Sequence, residues 1–373
     1  MEKSGTLLDF AEINTISSLS QLTEQRVQTG DNPVRAVTFV SDRSPVDIFG
    51  EYNPSGFRAE VDDHGEFSTV SITRRLKGDG EEYDEDGYRY LEGEFYLFSH
   101  ENTDVYTAFS ISDSDFFKYG VKRYLQALPP ELSLSFIDSG DLRRLFEVLD
   151  DSIDGRLIAT RAVIKSPSAD TDVRYFDDTD YFEVFNSSEV VDEGYYVDKL
   201  EFEIRQSSRD FSGQVSRKGE SRYVGGESSI YFQLLLDNLS SLISDKSDIF
   251  SNRSREYGSR EAQPIQITYR EGAIEGREEN YRLIRTLDGL SKSSVTVYHD
   301  NPYMHASVLD FNDGTTADVF LTSDSNVSII PGFNASRRAL SRITDQILEG
   351  FREGEISVGH DPERAFGDYF SEG

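Results

Sequence analysis

The chain has 373 residues, no cysteine, no tryptophan and a formal net charge of -31 at pH 7. Without cysteine there is no disulfide, no thiolate nucleophile, no Cys-ligated zinc and no iron–sulfur cluster. The length allows two domains of ordinary size, and 25 Phe with 20 Tyr supply enough apolar bulk for a core, so disorder is not the expectation.

In chain order, residues 1–32 read as an irregular lead with a helix over Leu8–Arg26. Strand-like sequence begins at Val34–Val40, and Phe67–Leu76 alternates as a strand should. Lys77–Gly87, KGDGEEYDEDG, is acidic and turn-rich; its spacing does not meet the EF-hand pattern, so a solvated hairpin tip is expected. Tyr88–Ser99 and Asp104–Ser112 read as strands flanking a loop with His100. Asp115–Leu128 carries an apolar helical face of Phe116, Phe117, Val121, Tyr124 and Leu125, and Pro129-Pro130 stops it. Leu132–Ile137 reads as a strand, Ser139–Leu149 as a helix capped by Ser139, and Arg156–Ile164 as a strand.

Ser166–Asp192 is a shift to acidic, polar, turn-rich sequence, read as a domain boundary or a long exposed hairpin. Tyr195–Arg205 and Gly213–Tyr223 read as paired strands, and Ser229–Ile249 as the strongest helix. Pro264–Tyr269 is a strand pattern and Arg277–Leu290 a helical one. Three apolar runs follow, Val295–Tyr298, Tyr303–Leu309 and Ala317–Leu321, divided by His299-Asp300-Asn301-Pro302 and Asn312-Asp313-Gly314. Asn, Asp and Gly accept left-handed backbone, so these breaks are hairpin signals. A short strand, Val327–Ile330, precedes Pro331-Gly332, and an amphipathic helix starts at Asn334 or Ser336.

The fold expected is α+β, built of two mixed α/β units, the C-terminal one an antiparallel β-meander closed by a helix. Its division is an N-terminal domain over 1–165, an acidic linker or exposed hairpin over 166–192, a C-terminal domain over 193–352 and a loose tail over 353–373.

Asp and Glu are spread along the whole length, and Arg greatly outnumbers Lys among the 38 basic residues. This is the style of salt-in halophiles, haloarchaea above all. Molar salt shortens the screening length to roughly 3 Å, which mutes self-repulsion while dense carboxylates hold water. The N-terminal stretch lacks a basic region followed by an apolar run, and no window approaches a membrane-spanning length of apolar residues. A cytoplasmic protein with no membrane association is therefore expected.

The nucleotide motifs GxxxxGK[ST] and GxGxxG after a strand are missing, as are HExxH and the GxSxG elbow. With no basic stripe and no RNP-type aromatic pattern, a nucleic-acid module is not supported. No cofactor is expected.

His305 starts a strand that ends at Asp310; Asn312 and Asp313 fill the next turn, Asp318 the next strand, and Ser323, Ser325 and Asn326 the turn after. That order resembles the phospholipase D-type phosphodiesterase signature, and the resemblance implies a His305 nucleophile with Asp310 and Asn326 as its companions. Ser307 stands where that family has its lysine, Ser323-Asp324 where it has Gly-Ser, and Asn312 where its aspartate falls. Losing the lysine removes the main positive charge on a developing phosphorane. His299, Asp300, His305, Asp310 and Asp318 are also N and O donors on adjacent strands and turns, the raw material of a metal site, against which stands their ordinary use as turn and strand residues; no metal is assigned. His64, His100 and His360 lie in Asp- or Ser-rich loops and read as solvated.

Arg337, Arg338 and Arg342 near the start of the last helix form a candidate anion-binding cluster, and Arg253, Arg255 and Arg260 crowd a polar loop. Bidentate guanidinium donors suit a phosphate or carboxylate; the competing use is intramolecular pairing with the abundant Asp and Glu. The function expected is a non-catalytic binding or assembly component of a larger complex, with a protein partner, in a salt-adapted prokaryote. The alternative is a phosphodiester hydrolase, or an inactive relative, with a degenerate phospholipase D-like site of His305, Asp310 and Asn326. No oligomeric state is assigned.

Overall fold

The computed structural model describes residues 15–30, 33–78, 84, 86–166, 171–192, 194–206, 210–254, 263–274, 276–321 and 323–359. The first part runs α1 (Ile16–Thr29), β1 (Val34–Ser41), α2 (Pro45–Glu51), β2 (Phe57–Asp63), β3 (Ser68–Lys77), β4 (Tyr88–Ser99) and β5 (Val105–Ser110). A π-helical turn, Phe116–Val121, continues directly into α3 (Lys122–Ala127), followed by β6 (Leu132–Leu134), α4 (Ser139–Ser152) and β7 (Arg156–Lys165). Next come β8 (Thr171–Asp180), the short α5 (Tyr181–Phe185) and α6 (Ser188–Asp192), then β9 (Tyr196–Arg205), β10 (Asp210–Ser216) and β11 (Glu220–Gly226). A second π-helical turn, Ile230–Leu235, leads into α7 (Leu236–Asp248). The chain then forms β12 (Ile265–Thr268), α8 (Arg277–Asp288), β13 (Ser293–His299), β14 (Met304–Asp310), β15 (Thr316–Leu321), β16 (Asn326–Pro331), α9 (Arg337–Gly350) and β17 (Glu355–Val358).

The architecture is α+β with two antiparallel sheets. The first has the order β2-β3-β4-β5-β1-β11-β10-β9-β7-β8; β5 pairs along β1, while β11 pairs with Val34–Val37 and β6 takes over at Phe39–Ser41. The second has the order β13-β14-β15-β16-β12-β17, so the C-terminal meander is extended on its β16 side by β12, which precedes it in the chain, and β17, which follows it. One face of the first sheet buries Leu142, Phe146, Leu235 and Leu239 from α4, the second π-helical turn and α7. The other face buries Ile48, Phe49, Phe116 and Tyr124 against Val37, Phe39 and Phe95. In the second sheet Leu283, Leu287, Leu340, Ile343 and Ile347 of α8 and α9 cover Ala306, Val308, Val319 and Ile329. Phe136, just past β6, and Phe250, just past α7, belong to that same core and pack at 5.8 Å, which ties the two sheets together.

The meander and its closing helix lie where alternation and turn chemistry put them, with Ser336 capping α9 by accepting from the Ala339 amide at 3.0 Å. Other elements differ from expectation for physical reasons. The cap of α4 is Asp138, which accepts from the Asp141 amide at 2.8 Å in a capping box, one residue before the expected Ser139. Gly213–Tyr223 is not one strand: the turn Arg217-Lys218-Gly219 divides it, and Gly219 sits at φ 64°. The stretch 166–192 contributes β8 as an outer strand with an almost wholly solvated pattern, hence its polar composition. β2 alternates, with Phe57, Ala59 and Val61 half-buried against the core and Arg58, Glu60 and Asp62 exposed, but no residue of it is fully buried. Within the segment expected as a tail, Glu355–Val358 pairs with β12. His100 is buried, not solvated: its ring contacts Thr107 Oγ1 at 2.9 Å and Asp237 Oδ1 at 3.2 Å. His360, Arg255 and Arg260 lie outside the described residues.

Candidate functional site

His305 and Asp310 lie on the same strand but five residues apart, and odd and even positions of a strand point to opposite faces. Asp310 is fully buried on the side of α9. There it accepts from Arg342 and, at 2.8 Å, from both the amide and the side chain of Asn312, so it closes a turn and anchors a helix. His305 lies on the other face, stacked at 4.1 Å on Phe320 and 4.9 Å from the Tyr298 ring, with Asp318 Oδ1 3.6 Å from Nε2. Asn326 is two strands away, where its amide reaches Ser325 Oγ at 3.2 Å. The structure therefore brings His305 to Asp318 but not to Asp310 or Asn326. His299 stacks on Tyr303 and bonds its backbone oxygen at 3.0 Å. Among the described residues no three His, Asp or Glu side chains converge as metal ligands.

The three arginines of α9 all have partners. Arg337 bridges Asp42 at 2.6 Å and Asp104 at 2.5 Å. Arg338 donates to the carbonyls of Leu128, at 2.7 Å, and Gln126, at 2.5 Å. Arg342 binds Asp310 and donates to the Ser291 carbonyl at 2.6 Å. Of the polar-loop arginines, Arg253 donates to Ile249 O at 2.8 Å and to Gln263.

Two of these side chains nonetheless face a shared space. A cleft of ≈ 500 Å³ opens between the sheets, and Lys122, Arg123, Lys218, Lys292, Arg338 and Arg342 line it together with Glu220 and Asp345, while Asp310 and Glu349 pair with Arg342 and Lys218 from behind the lining. The six come from α3, the β10–β11 turn, the approach to β13, and α9. Lys122 pairs with Glu220, and Lys218 reaches Asp345 at 2.5 Å and Glu349 at 2.9 Å. Burial lowers the pKa of Arg338, and the neighbouring Arg342 guanidinium lowers it further, against the pull of Asp310 and Asp313. In a chain of net charge -31 such a concentration runs against composition.

The turn that supplies Lys218 also supplies Arg217, which is 1% exposed. Its guanidinium lies over the Tyr196 ring at 4.4 Å and 3.4 Å from Glu353 Oε1, with no hydrogen bond among the described residues. Burial opposes its charge, but Glu353, Asp345 and Asp198 outweigh that and raise its pKa. Glu353 accepts from the Ser139 amide at 2.5 Å and lines a larger cleft, of ≈ 690 Å³, together with Asp138, Asp141 and Lys246. Lys246 is clamped between the two aspartates at 2.8 and 2.7 Å, and they hold its pKa up against burial. Burial pushes the Glu353 carboxyl up to about 7 despite Arg217.

None of Lys122, Arg123, Lys218, Lys292, Lys246, Glu353 or Arg217 stood out in the sequence. The one usable signal was scarcity: of nine lysines in the chain, four line these two clefts. The chain matches no known protein-family model and no curated protein sequence.

Proposed function

We propose that the protein is a non-catalytic binding component of a larger complex, and that it holds an anionic ligand in the basic cleft. The observation that carries this is the convergence of six basic side chains on ≈ 500 Å³ of concave space in a chain with 69 acidic residues. A cleft of this size is in the range that small ligands occupy. Like charges gathered in one concavity repel, and a bound anion relieves that repulsion. The assembly part of the reading is supported by the face of the second sheet turned away from α8 and α9, where Tyr298 is 63% exposed beside the His305–Phe320 stack. A cytoplasmic setting in a salt-adapted archaeon is supported by the dispersed carboxylates and scarce lysine. No helix among the described residues is long and apolar enough to cross a membrane.

The test is calorimetric titration of the chain in molar KCl with phosphate, sulfate and citrate. Saturable binding of at least one anion, abolished when Arg123→Gln and Lys292→Gln are combined, is the expected result. Flat titrations with all three overturn the anion reading. Turnover of bis(p-nitrophenyl) phosphate by the parent, lost in His305→Gln, would overturn the non-catalytic part and favour the phosphodiesterase. That alternative has less support, since Asp310 and Asn326 are not gathered around His305.

A further inference from the structure

We propose that the ligand of the basic cleft is a small molecule carrying a chain of two or three phosphates; this rests on the binding reading above and narrows it. Of the six cations, Lys122, Lys218 and Arg342 are already bonded to Glu220, Asp345 and Asp310 and hold the cleft in shape. The other three have no carboxylate partner among the described residues. Arg123 touches only the Gln126 side-chain oxygen, at 3.4 Å. Arg338 donates to two carbonyls and not to a carboxylate, with Asp310 and Asp313 offsetting part of its charge from a distance. Lys292 has no ion pair among the described residues, and its backbone stands at φ 54° in the turn that leads into β13.

Arg123 and Arg338 reach the cleft side by side, both bonded to Gln126, and Lys292 enters it from the approach to β13. A phosphate chain carries charge at each link and offers acceptor oxygens in several directions, which suits a pair of guanidinium groups at one place and a lysine from another element. Leu125, Leu132 and Leu134 line the same cleft and leave an apolar wall for the uncharged remainder of the ligand.

Titration of the full chain in molar KCl compares inorganic phosphate, pyrophosphate, tripolyphosphate and citrate. Pyrophosphate or tripolyphosphate should bind at least about tenfold tighter than phosphate and citrate, the difference made by one additional charge-assisted hydrogen bond. Arg123→Gln and Lys292→Gln should each weaken that binding by about tenfold or more without lowering the thermal midpoint, because neither side chain ties two elements together. Lys292→Arg, which keeps the charge, should retain it. Citrate binding as tightly as tripolyphosphate, with the same dependence on Arg123 and Lys292, would overturn the phosphate-chain proposal and leave the anion cleft standing. Binding of no anion overturns both, and polyphosphate binding unchanged in both glutamine variants overturns this assignment of the site.

Discussion

At Glu353 a single proton is poised to matter. Its side chain is 16% exposed, between Arg217 and the start of α4. Burial raises its pKa from 4.5 to about 7, so the folded state prefers the neutral acid. The contribution to stability is then full below the unfolded value and is lost as pH rises through about 7, the reverse of an ordinary paired carboxylate. The ceiling on this loss is on the order of 3 kcal/mol. Urea unfolding of parent and Glu353→Gln at pH 5 and pH 8 should show the parent losing more stability across that interval than the variant. Equal losses would remove Glu353 from the account.

Among the elements, the β10–β11 hairpin bears on both clefts through adjacent residues of its turn: Lys218 lines the basic one, and Arg217 lies against Glu353 of the other. Arg217 faces Glu353 and Lys218 faces Asp345. The turn is pinned by Ile137 N to Arg217 O at 2.7 Å, Arg217 N to Asp198 O at 2.9 Å and Thr38 N to Gly219 O at 2.9 Å. Gly219 at φ 64° makes this possible, and a Cβ there would press on Ser135 Oγ and come within 3.1 Å of Thr38 O. Gly219→Ala should therefore destabilise the fold by more than about 1 kcal/mol, from left-handed backbone and backbone contact together. It should also weaken anion binding through displacement of Lys218. Thermal unfolding and phosphate titration check the two effects, and a neutral substitution would mean that the turn is not the constraint described.

For the whole molecule the governing quantity is the net charge of -31. Self-repulsion among dispersed carboxylates acts over a length set by ionic strength, about 10 Å at 0.1 M and 3 Å at 1 M. The thermal midpoint should rise strongly from dilute buffer to molar KCl, and a midpoint that is flat or falls with salt contradicts salt adaptation. The buried pairs behave differently. Lys246 with Asp138 and Asp141 is 10% exposed or less at every side chain, so salt ions reach it little and its attraction persists in molar salt.

The sequence by itself determined the meander of the second sheet, but not β17, which pairs with β12 from a segment that reads as a loose tail. The alternation of Met304, Ala306 and Val308 with His305 and Ser307, and the Asn-Asp-Gly turn after Asp310, are local facts that fix strand, face and hairpin without reference to anything distant. It also determined the apolar stripe of α9 and the acidic surface. Only the tertiary structure decided what α9's arginines do. Arg337 meets Asp104 across 233 residues and Arg338 meets Leu128 across 210, and composition can say no more than that acceptors are plentiful. The strand β8 left little trace because it has no buried face to impose alternation. The cleft is the extreme case. Lys122, Lys218, Lys292 and Arg338 lie on four elements, and each alone is an ordinary surface cation. Charge gains chemical meaning from distance in space, and the chain order of these residues carries no information about that distance.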